Sequence, residues 1–465
     1  MSETDLSLVA HLMRRAGFGS TRSELETLGQ KPYEDIVEDL LFPERSPGIE
    51  RDLLDRYLAE PHAAMPVHIG IWIYRMINSK RPLEEKIALF WHHVFATGFS
   101  KVMHPMSNAN QVEMFRSVGL SKLDEILLAL SKDPAMIFWL DNSENHGDEI
   151  NENYGRELLE LFSMGVGNYT EDDIKNCARA FTGWTFTQPI PIYPQGDFPS
   201  YFHYREDDHD SSVKTFLGET GQFDGADIIK IIVKQPATAK FVSRHLYNFF
   251  VADEPQVPAW DELPPQDSQA IDMLSKAFTD SEGDMRSVLR VLFNSEFFKQ
   301  SQFKRVKCPA ELVAGVIKLT GTNREPNKQL EAIGVATAAM GQELYNPPTV
   351  EGWHTGKEWI DGGALNERVN FAVNELDDIS NPGLKDFVQR LSDSSQPLDA
   401  TNLVNRCVEF VGGIDLAPIT QQALVAYGKS CGEITFDTEE EVEGSTRKIV
   451  RLLQLIVASR EYQFA

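Results

Sequence analysis

Residues 82–96 read Pro82-Leu83-Glu84-Glu85-Lys86-Ile87-Ala88-Leu89-Phe90-Trp91-His92-His93-Val94-Phe95-Ala96. A proline at the first position suits the opening turn of a helix, where its missing N–H removes no intrahelical bond. Beyond Lys86 the apolar residues point in every direction around a helical wheel, which marks a helix buried on all sides. Such a helix needs other helices around it, so the stretch predicts a mainly α, multi-helical globular fold.

The flanking sequence repeats the helical period, with turn punctuation every 12 to 20 residues or so. Leu6 to Ala16 ends at Gly17-Phe18-Gly19, after which Ser20 or Thr21 caps a helix carrying Leu25 and Leu28. Pro32 opens the next helix, and further ones are predicted over Leu53 to Leu58, Val67 to Ile77 and Leu120 to Leu130, with a restart at Asp133-Pro134. Thr170 with Asp173 resembles a capping box, Asp224 caps Ile228 to Val233, and Pro236 starts a helix through Phe250. Between Thr182 and Gly221 the period fails, which predicts a long irregular or small β-hairpin insertion around residues 185–222. A Pro- and acid-rich link over 252–266 divides residues 1–251 from 267–465, and the two parts are expected to pack as one unit. In the second part helices are expected at Lys328 to Met340 and Asn370 to Asn374, and a last one at Ser445 to Ser459, basic at its start.

The 465 residues hold 44 Lys+Arg against 70 Asp+Glu, a formal charge of −26. That sign argues against nucleic acid or an anionic lipid surface as a partner. With 42% hydrophobic and 10% aromatic residues, a large core is affordable and wholesale disorder is excluded. No apolar run approaches the ~18 residues of a membrane span, which predicts a soluble protein. The start Met1-Ser2-Glu3-Thr4-Asp5 has acids where an export signal has bases, so the expected location is cytoplasmic. Cys177, Cys308, Cys407 and Cys431 lie far apart without metal-ribbon spacing and read as reduced thiols.

Chemistry concentrates in four places. On a helix from Asn151 to Phe162, Tyr154, Leu158, Leu161 and Phe162 share one face, and Asn153, Arg156, Glu157 and Glu160 share the other. Two carboxylates three residues apart repel unless an arginine, a proton or a cation offsets them. The face is therefore either solvated, with an Arg156–Glu160 ion pair, or a carboxylate site for metal or acid–base work. His92 and His93 point about 100° apart on their helix, so at most one is a direct ligand, and Glu85 lies close to the direction of His92. Each reads as a core histidine or as a site group. His209-Asp210, inside the insertion, offers a base with an orienting carboxylate, or else a solvated loop. Trp184 and Trp353 each follow a glycine at a corner and read as structural plugs or as stacking walls for a ligand. No phosphate-binding loop and no Gly-x-Ser-x-Gly elbow is present.

Taken together, His11-Leu12-Met13-Arg14-Arg15-Ala16-Gly17-Phe18-Gly19, the Phe90 to Thr97 block, Asn151 to Glu171, Ala178 to Trp184, His209-Asp210, and Pro347-Pro348 with Gly352-Trp353 resemble the bacterial family called domain of unknown function 1800. The blocks spread over nearly the whole chain. The resemblance implies a mostly helical protein of unestablished activity, commonly encoded beside a sulfatase-like partner and often exported. The lack of an export signal departs from those exported relatives.

Two functions compete at this stage. One is an enzyme, a hydrolase or an oxidoreductase, with a divalent metal held by His92 or His93 with Glu157 and Glu160. In it Arg156, Glu157, His209 and Asp210 are catalytic, and Asn153, Trp184 and Trp353 bind substrate. The other is a non-catalytic binding or assembly partner of a sulfatase-like protein, in which the same polar residues form a buried, satisfied network. An open cavity with perturbed acidities favours the first, and full hydrogen-bond satisfaction the second.

Overall fold

A computed structural model describes residues 5–50, 54, 64–187, 199–327, 329–394 and 398–465. The expected mainly α class is what it shows: among the described residues 23 α-helices are joined by short turns and carry only two antiparallel two-stranded sheets. Proline positions many of the helix starts. Pro82, Pro105, Pro134, Pro236, Pro309, Pro382 and Pro418 each occupy the first turn of a helix, where the absent N–H has no partner to lose. Side-chain caps set others: Thr21 with Glu24, Thr170 with Asp173, and Asp224 with Asp227 form reciprocal capping boxes.

The Pro82–Val94 helix lies at the centre, with every residue from Glu85 to Val94 buried. The Pro105–Val118 helix packs along it, and one contiguous apolar cluster runs from Val9 near the start to Tyr462 near the end. Pro236–Phe250 packs on Ser268–Asp280, and Met65–Asn78 on Gln329–Ala339. Residues of the 252–266 segment are tied down on both sides. Buried Glu254 accepts from Arg244 at 2.8 and 2.9 Å, Gln256 donates to the Thr355 carbonyl, and Asp253 accepts from the Val306 amide.

Within the insertion, β1 (Trp184–Phe186) pairs with β2 (Phe202–Tyr204), and β3 (Lys214–Phe216) pairs with β4 (Glu219–Gly221). Two helices start well before the expected residue. The last helix is Glu439–Val457, starting six residues before Ser445, because Thr438 caps Glu441 in a capping box and three glutamates fill the first turn. Lys448 and Arg451 therefore lie well inside the helix, and its start has acids, the sign that the helix dipole favours. The helix expected at Asn370 to Asn374 runs from Gly362 to Glu375. Of the helix expected at Leu53 to Leu58 only Leu54 lies among the described residues, and Lys328 lies outside them. No helix among the described residues is long and apolar enough to cross a membrane. All four cysteines are free thiols.

Candidate functional site

The C-terminal end of the central helix carries His92 and His93, and the loop 345–353 wraps over it. His92 is fully buried between aromatic rings: Trp72 at 5.6 Å, Tyr345 at 5.9 Å and Trp353 at 5.3 Å between centroids. Trp353 also lies nearly parallel to the His93 ring, 6.1 Å away. Glycine is required at position 352. Its φ is +90°, and a Cβ there would stand 2.4 Å from the His93 carbonyl oxygen.

Burial drives both imidazoles toward neutrality, lowering His92 to about 3 and His93 to about 4. Both His92 ring nitrogens, His93 Nδ1, His245 Nε2 and the indole nitrogens of Trp72 and Trp353 are buried without a hydrogen-bond partner. His245 is neutral for the same reason as the pair, and its acidity responds to His93. Native interiors rarely leave so many polar atoms unpaired in one region. No protein group among the described residues satisfies these nitrogens. Glu85, expected near His92, turns away instead: Arg116 grips it with two bonds of 2.9 Å, and Arg75 lies 3.8 Å away.

Trp72 and Tyr345 have a second side. Both line a cavity of about 560 Å³ shared with Arg75, Arg116, Glu84 and Glu113. That volume is within the usual range for a small-molecule pocket. Tyr345 holds a left-handed backbone, φ +65°, a strain that non-glycine residues rarely carry and that clusters at functional sites.

The Asn153–Glu160 helix buries Tyr154 and Leu158, with Phe162 just beyond it, as the pattern predicts; Leu159 is buried as well, and Leu161 only partly. Gly155 makes this close packing fit, since a Cβ there would lie 3.0 Å from the Ala178 amide of the neighbouring Glu171–Ala180 helix. On the polar face Glu157 is half-buried. Desolvation first, then the charges of Glu160 and of Glu351, raise its carboxyl to about 7 against the pull of Arg156. Glu351 precedes Gly352, so one loop brings Glu351 toward Glu157, Trp353 onto both histidines and Tyr345 into the cavity wall. The Tyr169 hydroxyl donates to Glu160 at 3.0 Å.

Several expected roles fall to different partners. Arg156 does not pair with Glu160. Its guanidinium makes bonds of 3.1 and 2.9 Å to Glu171 and one of 3.3 Å to Glu152, so it is engaged rather than open to an anion. Asn153 is engaged locally: its backbone N–H donates to Asn151 Oδ1 at 3.0 Å and its side-chain amide donates to Asp141 at 3.5 Å. His209 and Asp210 do not form a base and its orienter. His209 Nδ1 lies 3.0 Å from the Thr182 carbonyl. Burial pushes the Asp210 carboxyl up, but hydrogen bonds from Ser212 and Arg179 outweigh it and hold Asp210 at about 2. The two residues thus latch the insertion onto the end of the Glu171–Ala180 helix. Trp184 is buried edge-on against Phe181 and Phe202, which leaves it no open face for substrate.

His354 pairs with Glu358 four residues on, at 2.6 Å, and His146 pairs with Asp208 at 2.7 Å, a bond that raises the His146 pKa. Nothing in the sequence spacing signals the second pair, because its partners are 62 residues apart. His245, Trp72 and Tyr345 were likewise not marked by any local pattern. Among the described residues no group of three or more His, Cys, Asp or Glu could hold a metal ion, so His92, His93, Glu157 and Glu160 do not come together as one ligand set.

Comparison with known proteins gives one match: the family model for a protein of unknown function (DUF1800) covers residues 11–464. No curated protein and no solved structure matches.

Proposed function

The chain belongs to the DUF1800 family of proteins of unknown function, and from the site around its histidine pair we propose an enzyme that carries out acid–base, hydrolytic chemistry. Glu157 is the general acid, protonated in about half the molecules near neutral pH. Neutral His92, His93 and His245 supply hydrogen-bonding nitrogens behind it, and Trp353 packs over the His92 and His93 rings. The cavity at Trp72 and Tyr345 takes the non-reacting part of the substrate. The observation that carries this reading is the Glu157 carboxyl, raised by burial and neighbouring carboxylates to about 7, beside a loop that also covers imidazoles without a protein partner. The scattered donor set gives no support to a ready divalent-metal centre, and no step here runs through a metal.

The test is a panel of ester, amide and phosphate-ester substrates assayed with the natural chain and Glu157→Gln. Turnover should fall as pH rises through about 7, because the acid form is then lost. The variant should lose about 10² to 10⁴ of the rate. Equal turnover by both proteins would overturn the assignment of Glu157. A non-catalytic role beside a sulfatase-like partner is the competing proposal. It predicts no turnover on any of the panel and partner binding that survives Glu157→Gln.

A further inference from the structure

A second cavity, of about 490 Å³, lies away from the histidine pair, between the 21–26 segment, the end of the Pro309–Thr320 helix, and the Pro382–Ser392 and Ala400–Phe410 helices. Its lining has an unusual charge for this chain. Five cations, Arg22, Lys318, Arg324, Arg390 and Arg406, face three acids, Glu26, Asp386 and Glu409. The local balance is 5 − 3 = +2 in a protein whose net charge is −26.

Pairing accounts for three of the cations. Arg22 bonds Glu26 at 2.7 Å, Arg390 bonds Asp386 at 2.9 Å and reaches Glu26 at 3.3 Å, and Arg406 lies 3.4 Å from Glu409. Among the described residues Lys318 and Arg324 have no ion pair within the cavity, although the charge of Glu24, outside its lining, acts on Lys318. The Lys318 ammonium is buried and donates to the Gly19 carbonyl at 2.9 Å, one acceptor for three donor hydrogens. Arg324 has no ion pair among the described residues, and it stands close enough for its charge to act on Lys318. Glu24 offsets Lys318 in part, but two cations line one cavity wall, one of them buried, and an anion held by both would relieve their repulsion.

The rest of the lining is apolar. Phe387 and Phe410 stack face to face, 4.3 Å between centroids and 20° apart, with Leu319, Leu391 and Pro382 around them. We propose that this cavity binds an amphiphilic anion, its carboxylate, sulfonate or phosphate head between Lys318 and Arg324 and its apolar body against Phe387 and Phe410. The size suits one small molecule, and the mix of an apolar wall with a few convergent charges is that of a ligand pocket. The site is independent of Glu157 and the histidine pair.

Isothermal titration of the full chain with 1-naphthoate tests it, with 1-naphthalenemethanol as the uncharged isostere. Saturable one-to-one binding of naphthoate is expected, with the alcohol weaker by at least about tenfold. Arg324→Gln, an exposed position that should fold normally, should weaken naphthoate by at least about tenfold, as should Lys318→Met if it folds. Glu157→Gln should bind as the natural chain does, which separates this site from the proposed catalytic one. Equal affinity for the alcohol, an unchanged affinity in Arg324→Gln, or no saturation below about 1 mM would each overturn the proposal.

Discussion

Glu311→Gln is expected to destabilise the fold by about 3–5 kcal/mol, a large part of the ~5–15 kcal/mol that holds a typical domain together. Buried Glu311 accepts from Arg15 and Arg305 at 3.1 Å each, from Lys86, and from the Cys308 amide at 2.7 Å. Three buried cations thus share one carboxylate, with Asp253 at 4.0 Å from Arg305 as the only other acid within reach of them among the described residues. Removing the charge leaves the cations facing one another in a medium that screens poorly. Burial alone would raise the Glu311 carboxyl, but Lys86, Arg305 and Arg15 overcome it and depress it far below the usual range. A depressed acid contributes stability above its unfolded value of about 4.5 and loses it as pH falls toward the folded value. The gap in urea midpoint between the natural chain and Glu311→Gln should therefore be full at pH 7 and narrow steadily below about pH 4.5. A gap that is independent of pH would mean that lost packing, and not charge, causes the effect.

Gly352→Ala should cost on the order of 3 kcal/mol, with Gly362→Ala as a control within about 0.5 kcal/mol. At 352 the added carbon meets the His93 carbonyl at 2.4 Å and the backbone sits at φ +90°, so both sterics and conformation oppose it. At 362 a Cβ has no neighbour within 4 Å. Because loop 345–353 carries Glu351, Trp353 and Tyr345 together, lifting it off His93 should also return the Glu157 carboxyl toward 4.5. Thermal melts measure the first effect. A 352 variant as stable as the 362 control would show that the loop is not fastened to the histidine helix as described.

Local signals carried most of the architecture. Pro82, Pro236 and the Thr170–Asp173 and Asp224 caps each act within one helical turn, so they are readable from neighbouring residues alone. The all-round apolar run after Lys86 placed the central helix for the same reason. The start of the last helix was missed, because the acidic run around Thr438 and Glu441 reads equally well as a solvated turn. Partner choice was not legible. Arg156 has Glu160 four residues away, yet Glu171, fifteen residues on, wins because the Glu171–Ala180 helix packs alongside. Asp210 sits next to His209 but goes to Arg179, while Asp208 takes His146 from a different loop. Adjacent side chains on an extended segment diverge, so adjacency does not make a dyad. Glu157, Glu160, His92, His93 and Trp353 were singled out from the sequence. Loop 345–353 groups Trp353 with both histidines and sets Glu351 beside Glu157, a link between segments some 190 residues apart that no spacing rule reaches.

A carboxyl kept near neutrality also has a cost. Glu157 binds its proton more tightly folded than unfolded, so its contribution is present below about 4.5 and lost as pH rises through about 7. Maintaining that penalty at neutral pH is what an acid–base role would require. The most direct test is a titration of ¹³C-glutamate carboxyl signals by NMR, subtracting Glu157→Gln from the natural chain. The account predicts that the resonance lost in the variant titrates at about 7. A midpoint at the ordinary 4.5 would contradict it and remove Glu157 as the proposed acid.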